Sequence, residues 1–322
     1  MEQHQNNDNK FDVGFYDLRY QKGYMDTWPS YKMQRVFNYL TDLKGKIGIP
    51  DKILDFGGGT GVFSEVISRV FPSATIYICD LSAEALQIAV TRNPKLKAYT
   101  LSELEKETAK FDLIFSHHVL EHVDDLNATL NLIKSVLNLK GSMVHILPCG
   151  NKESLEYNLC TWQKSGFRGE KGDLFYFDEE AHLRRLTSDG MNKCMFDLGL
   201  ECVDQRFANH YMGTLIIFGS YKEKLINTIL NPETAIDEKS ATQINKVRSA
   251  AGMIKRNREV FETGFQQIWK EKIPLNQKIL LFIKKLFSGK SYLKYLKQEE
   301  NEWDNLQNNP NGSEMYLTYK FR

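Results

Sequence analysis

Two spacings of apolar residues alternate along the first two thirds of this chain. Short runs with apolar side chains on successive positions, such as Ile53-Leu54 before Asp55-Phe56 and Ile76-Tyr77-Ile78-Cys79, suit strands buried on both faces. Between them lie stretches whose apolar residues recur every three or four positions, as in Val62, Phe63, Val66, Ile67 and Val70, the pattern of a helix with one buried face. In order, the pattern predicts strand 52–56, helix 61–71, strand 74–79, helix 82–92, a weaker strand at 97–100, strand 111–116, helix 124–138, strand 142–147, helix 183–198 and a strand near 202–207. Such alternation implies an α/β class fold, doubly wound, with helices on both faces of a mostly parallel sheet and ligands at the carboxyl ends of its strands.

The last third breaks the alternation. Residues 221–300 are mainly helical in pattern, with a long polar helix from Gln243 and a basic amphipathic one from Pro274 to Lys297. After the turn Asn309-Pro310-Asn311-Gly312, the run Met315-Tyr316-Leu317-Thr318-Tyr319-Lys320-Phe321 alternates as a strand.

The first predicted strand runs into Gly57-Gly58-Gly59-Thr60-Gly61, where missing side chains let backbone pass close to a ligand. The spacing is G-x-G-x-G, and Val62 stands where a dinucleotide site needs a further glycine, which disfavours NAD and a nicotinamide oxidoreductase. About twenty residues on, the second strand ends at Asp80, an acid placed to accept both hydroxyls of a ribose. Glycine loop and strand-end acid resemble motifs I and II of the class I (Rossmann-like) S-adenosylmethionine-dependent methyltransferases of small-molecule type. Phe111 to Val123 is similar to that superfamily's fourth-strand motif, and Leu139 to Pro148 to its turn and fifth strand, so the joint match covers residues 50–150.

The resemblance implies a seven-stranded sheet whose last strand is antiparallel. Residues 1–220 and 311–322 would then form the core, 1–45 being an N-terminal aromatic lid or helix, and 221–310 a helical insertion before the final strand. It implies S-adenosylmethionine as cofactor, leaving as S-adenosylhomocysteine, held by Asp55, Gly57, Gly59, Gly61, Asp80, Leu81 and Ser116. Arg19 would pair with the methionine carboxylate and Tyr20 or Tyr24 would cover the sulfonium, since an aromatic face attracts a cation. The plainer readings are that Asp55 caps the glycine turn, that Asp80 caps the next helix, and that the aromatic run from Phe15 to Trp28 packs on the sheet edge. Relatives place an acid or amide near the end of strand three for the adenine; here Thr100-Leu101-Ser102-Glu103 stands there and no contact is assigned.

Ser116-His117-His118-Val119 replaces the Asn/Asp-Pro-Pro-aromatic tetrad of amine-modifying relatives, which argues against methylation of a nucleic-acid base or amide. His182 opens a stretch resembling the His-x-Arg-x-x-Thr helix entry of small-molecule enzymes and is the leading general base, with His117 and His118 as further catalytic candidates; a neutral imidazole suits removal of a hydroxyl proton. The long segment 148–181 reads as an acceptor lid, because a loop of that length in a compact domain is usually functional. Acceptor contacts are expected from His145, Asn151, Tyr157, Trp162, Tyr176 and Arg184, with a satisfied core histidine as the plainer reading of His145. His118 and His122 lie i,i+4 but lack a third ligand, and no metal is expected. The resulting expectation is transfer of a methyl group to a small polar acceptor, glycan or natural-product-like, most simply to oxygen with a histidine base. A non-catalytic binding or assembly protein that keeps the fold is the alternative.

Composition adds limits. At 322 residues and 42% hydrophobic the chain can bury a sizeable core, and a net charge of +1 gives no general attraction to nucleic acid, so no such partner is expected. Five cysteines without C-x-x-C spacing argue against a disulfide framework or zinc ribbon and fit a reducing cytoplasm. The polar first ten residues lack a signal-peptide core and are expected to be disordered. The basic helix Lys278 to Phe287, continued by Lys290, Lys294 and Lys297, can lie on an anionic membrane. The stronger expectation is that its apolar side packs on its own domain or on a twin subunit, as in a homodimer.

Overall fold

The computed structural model describes residues 13–24, 28–108, 110–169, 171–262 and 274–322. The expected disorder of the first ten residues, and Met25 to Thr27 of the aromatic run, lie outside the described residues. The chain divides into two compact units: the first holds 1–147, 189–205 and 316–322, and the second holds 148–188 and 206–315.

The first unit is built on a seven-stranded sheet. Its strands are β1 (Lys52–Phe56), β2 (Thr75–Asp80), β3 (Lys97–Thr100), β4 (Phe111–His117), β5 (Leu137–Pro148), β8 (Leu200–Ala208) and β9 (Glu314–Phe321), in the order β3-β2-β1-β4-β5-β9-β8. β1 runs parallel to β2 and β4, β2 to β3, and β4 to β5. The sheet is mostly parallel with antiparallel strands at its end, the α/β arrangement expected from the sequence. The final strand enters between β5 and β8. Chain order reverses between β1 and β4, which is where an open sheet of this kind leaves a crevice at its strand ends.

Local sequence explains most element limits. α3 (Val62–Val70) buries Phe63, Val66, Ile67 and Val70 on one face, and its N-cap Gly61 has φ +80. α4 (Ala83–Arg92) starts where the Ser82 hydroxyl accepts from the Ala85 N–H. The helix expected at 124–138 is shorter, α6 (Leu126–Ser135): the Asp125 carboxylate accepts from Ala128 N–H at its start, and Leu137 is already paired with Phe111 in the sheet. The helix expected at 183–198 begins only at Ser188 as α8 (Ser188–Asp197), because the Asn151 side chain accepts the Ser188 N–H at 2.9 Å and holds 183–187 out of the helix.

β9 is tied to the N-terminal part of the chain. α2 (Ser30–Ile47) buries Val36, Tyr39, Leu40 and Leu43, and the Tyr39 hydroxyl bonds the Thr318 hydroxyl at 2.8 Å. The Tyr39 ring also meets Tyr316 edge-on, centroids 5.1 Å apart.

The second unit contains α7 (Leu155–Trp162), the short strands β6 (Phe167–Arg168) and β7 (Leu174–Phe175), and the helices α9 (Tyr211–Ser220), α10 (Glu223–Ile229), α11 (Glu238–Glu262) and α12 (Leu275–Leu306). Its limits differ from the expected 221–310 insertion, since the segment after β5 and α9 both belong to it. α9 was not foreseen; its run Tyr211-Met212-Gly213-Thr214-Leu215-Ile216-Ile217-Phe218 is apolar nearly all round and has no helical period to read. It packs on α11, so closely at Gly219 that an added Cβ would lie 3.1 Å from the Ala251 carbonyl and 2.9 Å from Ile254. The Glu302 carboxylate of α12 accepts the Met212 N–H, placing negative charge at the N-terminus of α9 where the helix dipole favours it.

Tyr39→Phe should destabilise the fold by about 1 to 3 kcal/mol, because it leaves the buried Thr318 hydroxyl without its partner. Urea unfolding would measure this, and an unchanged midpoint would mean that the bond contributes nothing. Ending the chain at Gly312 removes β9, exposes the edges of β5 and β8, and should give insoluble protein.

Candidate active site

The register of β1 on β2 pairs Phe56 with Cys79, so the glycine loop leaving β1 turns across the end of β2. Gly57 and Gly58 donate their N–H groups to the Cys79 carbonyl at 2.7 and 3.1 Å, and Gly59 donates to Asp80 Oδ2 at 2.8 Å. Asp80 Oδ1 accepts from the Ser82 N–H at 2.9 Å, so the helix-capping role is real as well. At Gly57 (φ +70) a Cβ would lie 2.4 Å from the Val119 side chain, and at Gly59 (φ +53) 2.9 Å from the Tyr20 hydroxyl. Both positions therefore need glycine for backbone and for space.

A cavity of about 580 Å³ opens beside this loop, lined among others by Tyr16, Tyr20, Gly57, Asp80, Leu81 and His118. A second of about 70 Å³, between the glycine loop and His117, is lined by Tyr24, Trp28, Asp55, Gly59 and Phe63 and shares Tyr16, Tyr20, Gly57, His118 and His122 with the first. Asp55, Gly57, Gly59, Asp80, Leu81, Tyr20, His117 and His118 are thus brought together at the strand ends of the first unit. Gly61 sits just behind, its position of an added Cβ 3.1 Å from Ala89.

The site holds two buried carboxyl groups, Asp55 and Asp80. Burial raises Asp55 to about 7, against the lowering effect of the Ser64 hydroxyl that donates to it at 2.6 Å. Burial also raises Asp80, outweighing the backbone N–H donors around it, and Asp17 adds a like charge nearby. Tyr20 is held above the ordinary phenol range by burial and then by Asp80. Arg19, expected to meet a carboxylate, lies over the Tyr24 ring at 3.6 Å and the Phe15 ring at 5.2 Å.

The histidines after β4 form an aromatic stack. The His117 ring lies 4.0 Å from Phe63 and 4.5 Å from His118, with Trp28 edge-on at 4.7 Å. His118 adopts φ +54, uncommon for a residue with a side chain, and its Nδ1 is 3.3 Å from Glu121. Ser116 and His145 lie deeper: the Ser116 hydroxyl bonds His145 Nδ1 at 2.7 Å, and His145 is fully buried, with burial lowering it to about 4. His145 therefore takes the place of a core histidine, away from the cavity surface where an acceptor contact was expected.

The remaining expected residues belong to the second unit. The Asn151 amide is spent on Ser188 and on the Pro310 carbonyl, a structural tie. Tyr157 packs against Phe167 and Phe175, the Trp162 carbonyl accepts from Ile236, and the Tyr176 hydroxyl donates to the Ile229 carbonyl. His182 Nδ1 is 3.6 Å from Asp178. Arg185 is a buried guanidinium: it bonds Glu156 at 2.5 Å, lies 3.3 Å from Asp178 and covers the Phe175 ring at 3.9 Å, while Arg184, expected to meet an acceptor, is half-buried. Burial opposes ionisation of Asp178, but the Arg185 guanidinium and the neighbouring His182 prevail and hold it below the usual carboxylate range. Sequence reasoning also missed Trp28 and Phe63 as partners of His117; their aromatic character was the available signal.

Residues 25–205, more than half of the chain, match the family model described as a methyltransferase domain. The chain belongs to the methyltransferase-domain family. The resemblance of the glycine loop and strand-end acid implies S-adenosylmethionine as the cofactor of this methyltransferase domain. The methyltransferase is 31% identical over 109 residues to a malonyl-(acyl-carrier protein) O-methyltransferase 1 of Ilyobacter polytropus, covering 32% of this chain and 40% of that one. It is 39% identical over 80 residues to the mitochondrial ubiquinone biosynthesis O-methyltransferase of Candida albicans, covering 22% and 24%. The matches therefore span 40% or less of these curated relatives. Among solved structures, magnesium protoporphyrin IX methyltransferase from Synechocystis with bound S-adenosylhomocysteine is similar with TM-score 0.44 and 16% identity, over 61% of this chain and 88% of that one. The residues present suit the cofactor: glycines that a Cβ would fill, buried carboxylates for hydroxyl and ammonium groups, and tyrosine rings for a cationic sulfur.

Gly59→Val should abolish donor binding, and Asp80→Ala should weaken it by on the order of 1 to 3 kcal/mol. Calorimetry with S-adenosylmethionine tests both, and wild-type affinity in either variant would remove that residue from the site. Because Asp55 is raised from 3.8 to about 7 in the folded protein, its contribution to stability is present below pH 3.8 and is lost as pH rises through about 7. Asp55→Asn should therefore lack that loss, with its Tm gaining on wild type between pH 4 and pH 7; parallel Tm curves would contradict the assignment.

Proposed function

We propose that this methyltransferase moves a methyl group from S-adenosylmethionine to an oxygen of a small polar acceptor, with a histidine as general base. The observation that carries the reading is that His118 and Gly57 line two cavities, the larger of which also takes in Asp80 and the smaller His117 and Gly59. S-adenosylmethionine, when bound, supplies an electrophilic methyl group on a sulfonium. Asp80, Gly57 and Gly59 hold the donor, Tyr20 and Trp28 help exclude water, and His117 or His118 takes the hydroxyl proton as the methyl group leaves. His182, with Nδ1 3.6 Å from Asp178, is the alternative base. Tyr157, Trp162, Tyr176 and Arg184 remain proposed acceptor contacts. The O-methyltransferases among the relatives support oxygen as the target. The five free cysteines support a reducing, cytoplasmic setting.

The test is an acceptor screen with methyl-labelled donor, followed by variants on the acceptor found. His117→Ala and His182→Ala should leave donor affinity nearly intact, and the true base should lose about 100-fold or more in turnover. Rates within a factor of about two of wild type for both would leave the base assignment without support. Tight donor binding with no turnover on any acceptor would favour a binding or assembly role.

A further inference from the structure

Helix α12 has two opposite faces that repeat with the same period. On the inner one Gly289, Tyr292, Glu299 and Trp303 are buried, and the Tyr292 ring lies 5.6 Å from Phe261 of α11. An added Cβ at Gly289 would come 3.1 Å from the same ring. On the outer face Ile279, Ile283 and Leu286 recur at four- and three-residue steps and Leu293 follows seven residues on, with Leu280 and Phe287 beside them, all exposed. Leu280 and Phe287 are 67% and 68% exposed, values usual for a surface lysine. This departs from the expectation that the apolar side packs on the chain's own domain: that side is turned away from α11.

The polar residues of the segment have one sign. Lys278, Lys284, Lys285, Lys290, Lys294 and Lys297 fall within 275–297, which contains no Asp or Glu. Lys284, Lys290 and Lys294 are exposed beside or along the apolar stripe. A helix with an exposed apolar face and a ring of lysines suits the boundary of an anionic bilayer, where the apolar side chains enter the acyl region and the lysine stems reach back to the headgroups. No described helix is long and apolar enough to cross a membrane, so such contact lies in the interface plane.

We propose that this face of α12 docks the protein on an anionic lipid surface. Charge selects this occupant over a second copy of the chain, since pairing two such faces would bring lysines of both helices together without any acid of the segment to offset them. The inference does not depend on the methyltransferase reading.

The full chain should co-sediment with phosphatidylcholine vesicles containing phosphatidylserine, and should do so much less with phosphatidylcholine alone or at high salt. Leu280→Glu with Phe287→Glu, and separately Lys284→Glu with Lys290→Glu and Lys294→Glu, should each lower partitioning at least about tenfold. Both sets lie on exposed positions, and circular dichroism and S-adenosylmethionine affinity should stay as in wild type. Binding that ignores phosphatidylserine, or absent binding in the folded wild-type chain, would overturn the proposal. So would a concentration-dependent dimer in sedimentation equilibrium that the Leu280/Phe287 variant dissolves, because the face would then belong to a second copy.

Discussion

The hydrogen bond from Gly59 N–H to Asp80 fixes the geometry on which the donor site depends. It is possible only because β1 and β2 pair in parallel with Phe56 beside Cys79, so that the loop after one strand reaches the acid at the end of the other. The preceding N–H groups of Gly57 and Gly58 are taken by the Cys79 carbonyl. With its backbone donors spent on β2, the loop is set before any ligand arrives. Preorganisation of this kind lowers the ordering cost of binding.

That arrangement leaves two carboxyl groups in a buried place. Asp55 and Asp80 are both raised, chiefly by burial, and each also raises or is raised by acids nearby. Burial disfavours the charged form of such groups, and hydroxyl donors or positive charge placed beside them favour it. A donor carrying a sulfonium, an ammonium and a ribose diol brings these together. The same burial that makes the site costly when empty makes each polar contact stronger when filled.

The sheet and the donor loop could be read from the chain because their signals are local. Strand runs, glycines at positive φ and a strand-end acid each declare themselves within a few residues. The rest depends on contacts distant in sequence. α8 starts at Ser188 because Asn151, far upstream, accepts its N–H, and no helical period separates Arg184 from Arg185 in the extended segment before it. The His-x-Arg spacing singles out Arg184, and nothing local shows that its neighbour Arg185 is the one paired with Glu156 and Asp178. Strand alternation tells which face His145 takes, but not that its neighbour across the ladder, Ser116, engages its Nδ1 and that the ring is fully buried. α12 presents the same limit in reverse: its amphipathic pattern was plain, whereas which side met α11 needed the position of Phe261.

The cluster around Arg185 bears on how the second unit works. A guanidinium between Glu156 and Asp178 is a weak source of stability, since desolvating three charges costs about what their attraction returns, and apolar side chains of similar volume often do as well. What apolar replacements would not supply is direction. Asp178 also accepts the Phe175 N–H at 2.8 Å, so its carboxylate is fixed from the backbone side while Arg185 keeps it ionised and His182 Nδ1 faces it. An ionised, oriented acid beside an imidazole selects one tautomer and one ring orientation, leaving the far nitrogen as the proton acceptor. If His182 is the base, losing Arg185 should harm turnover through His182 more than it harms the fold, which separates an orienting role from a merely structural one.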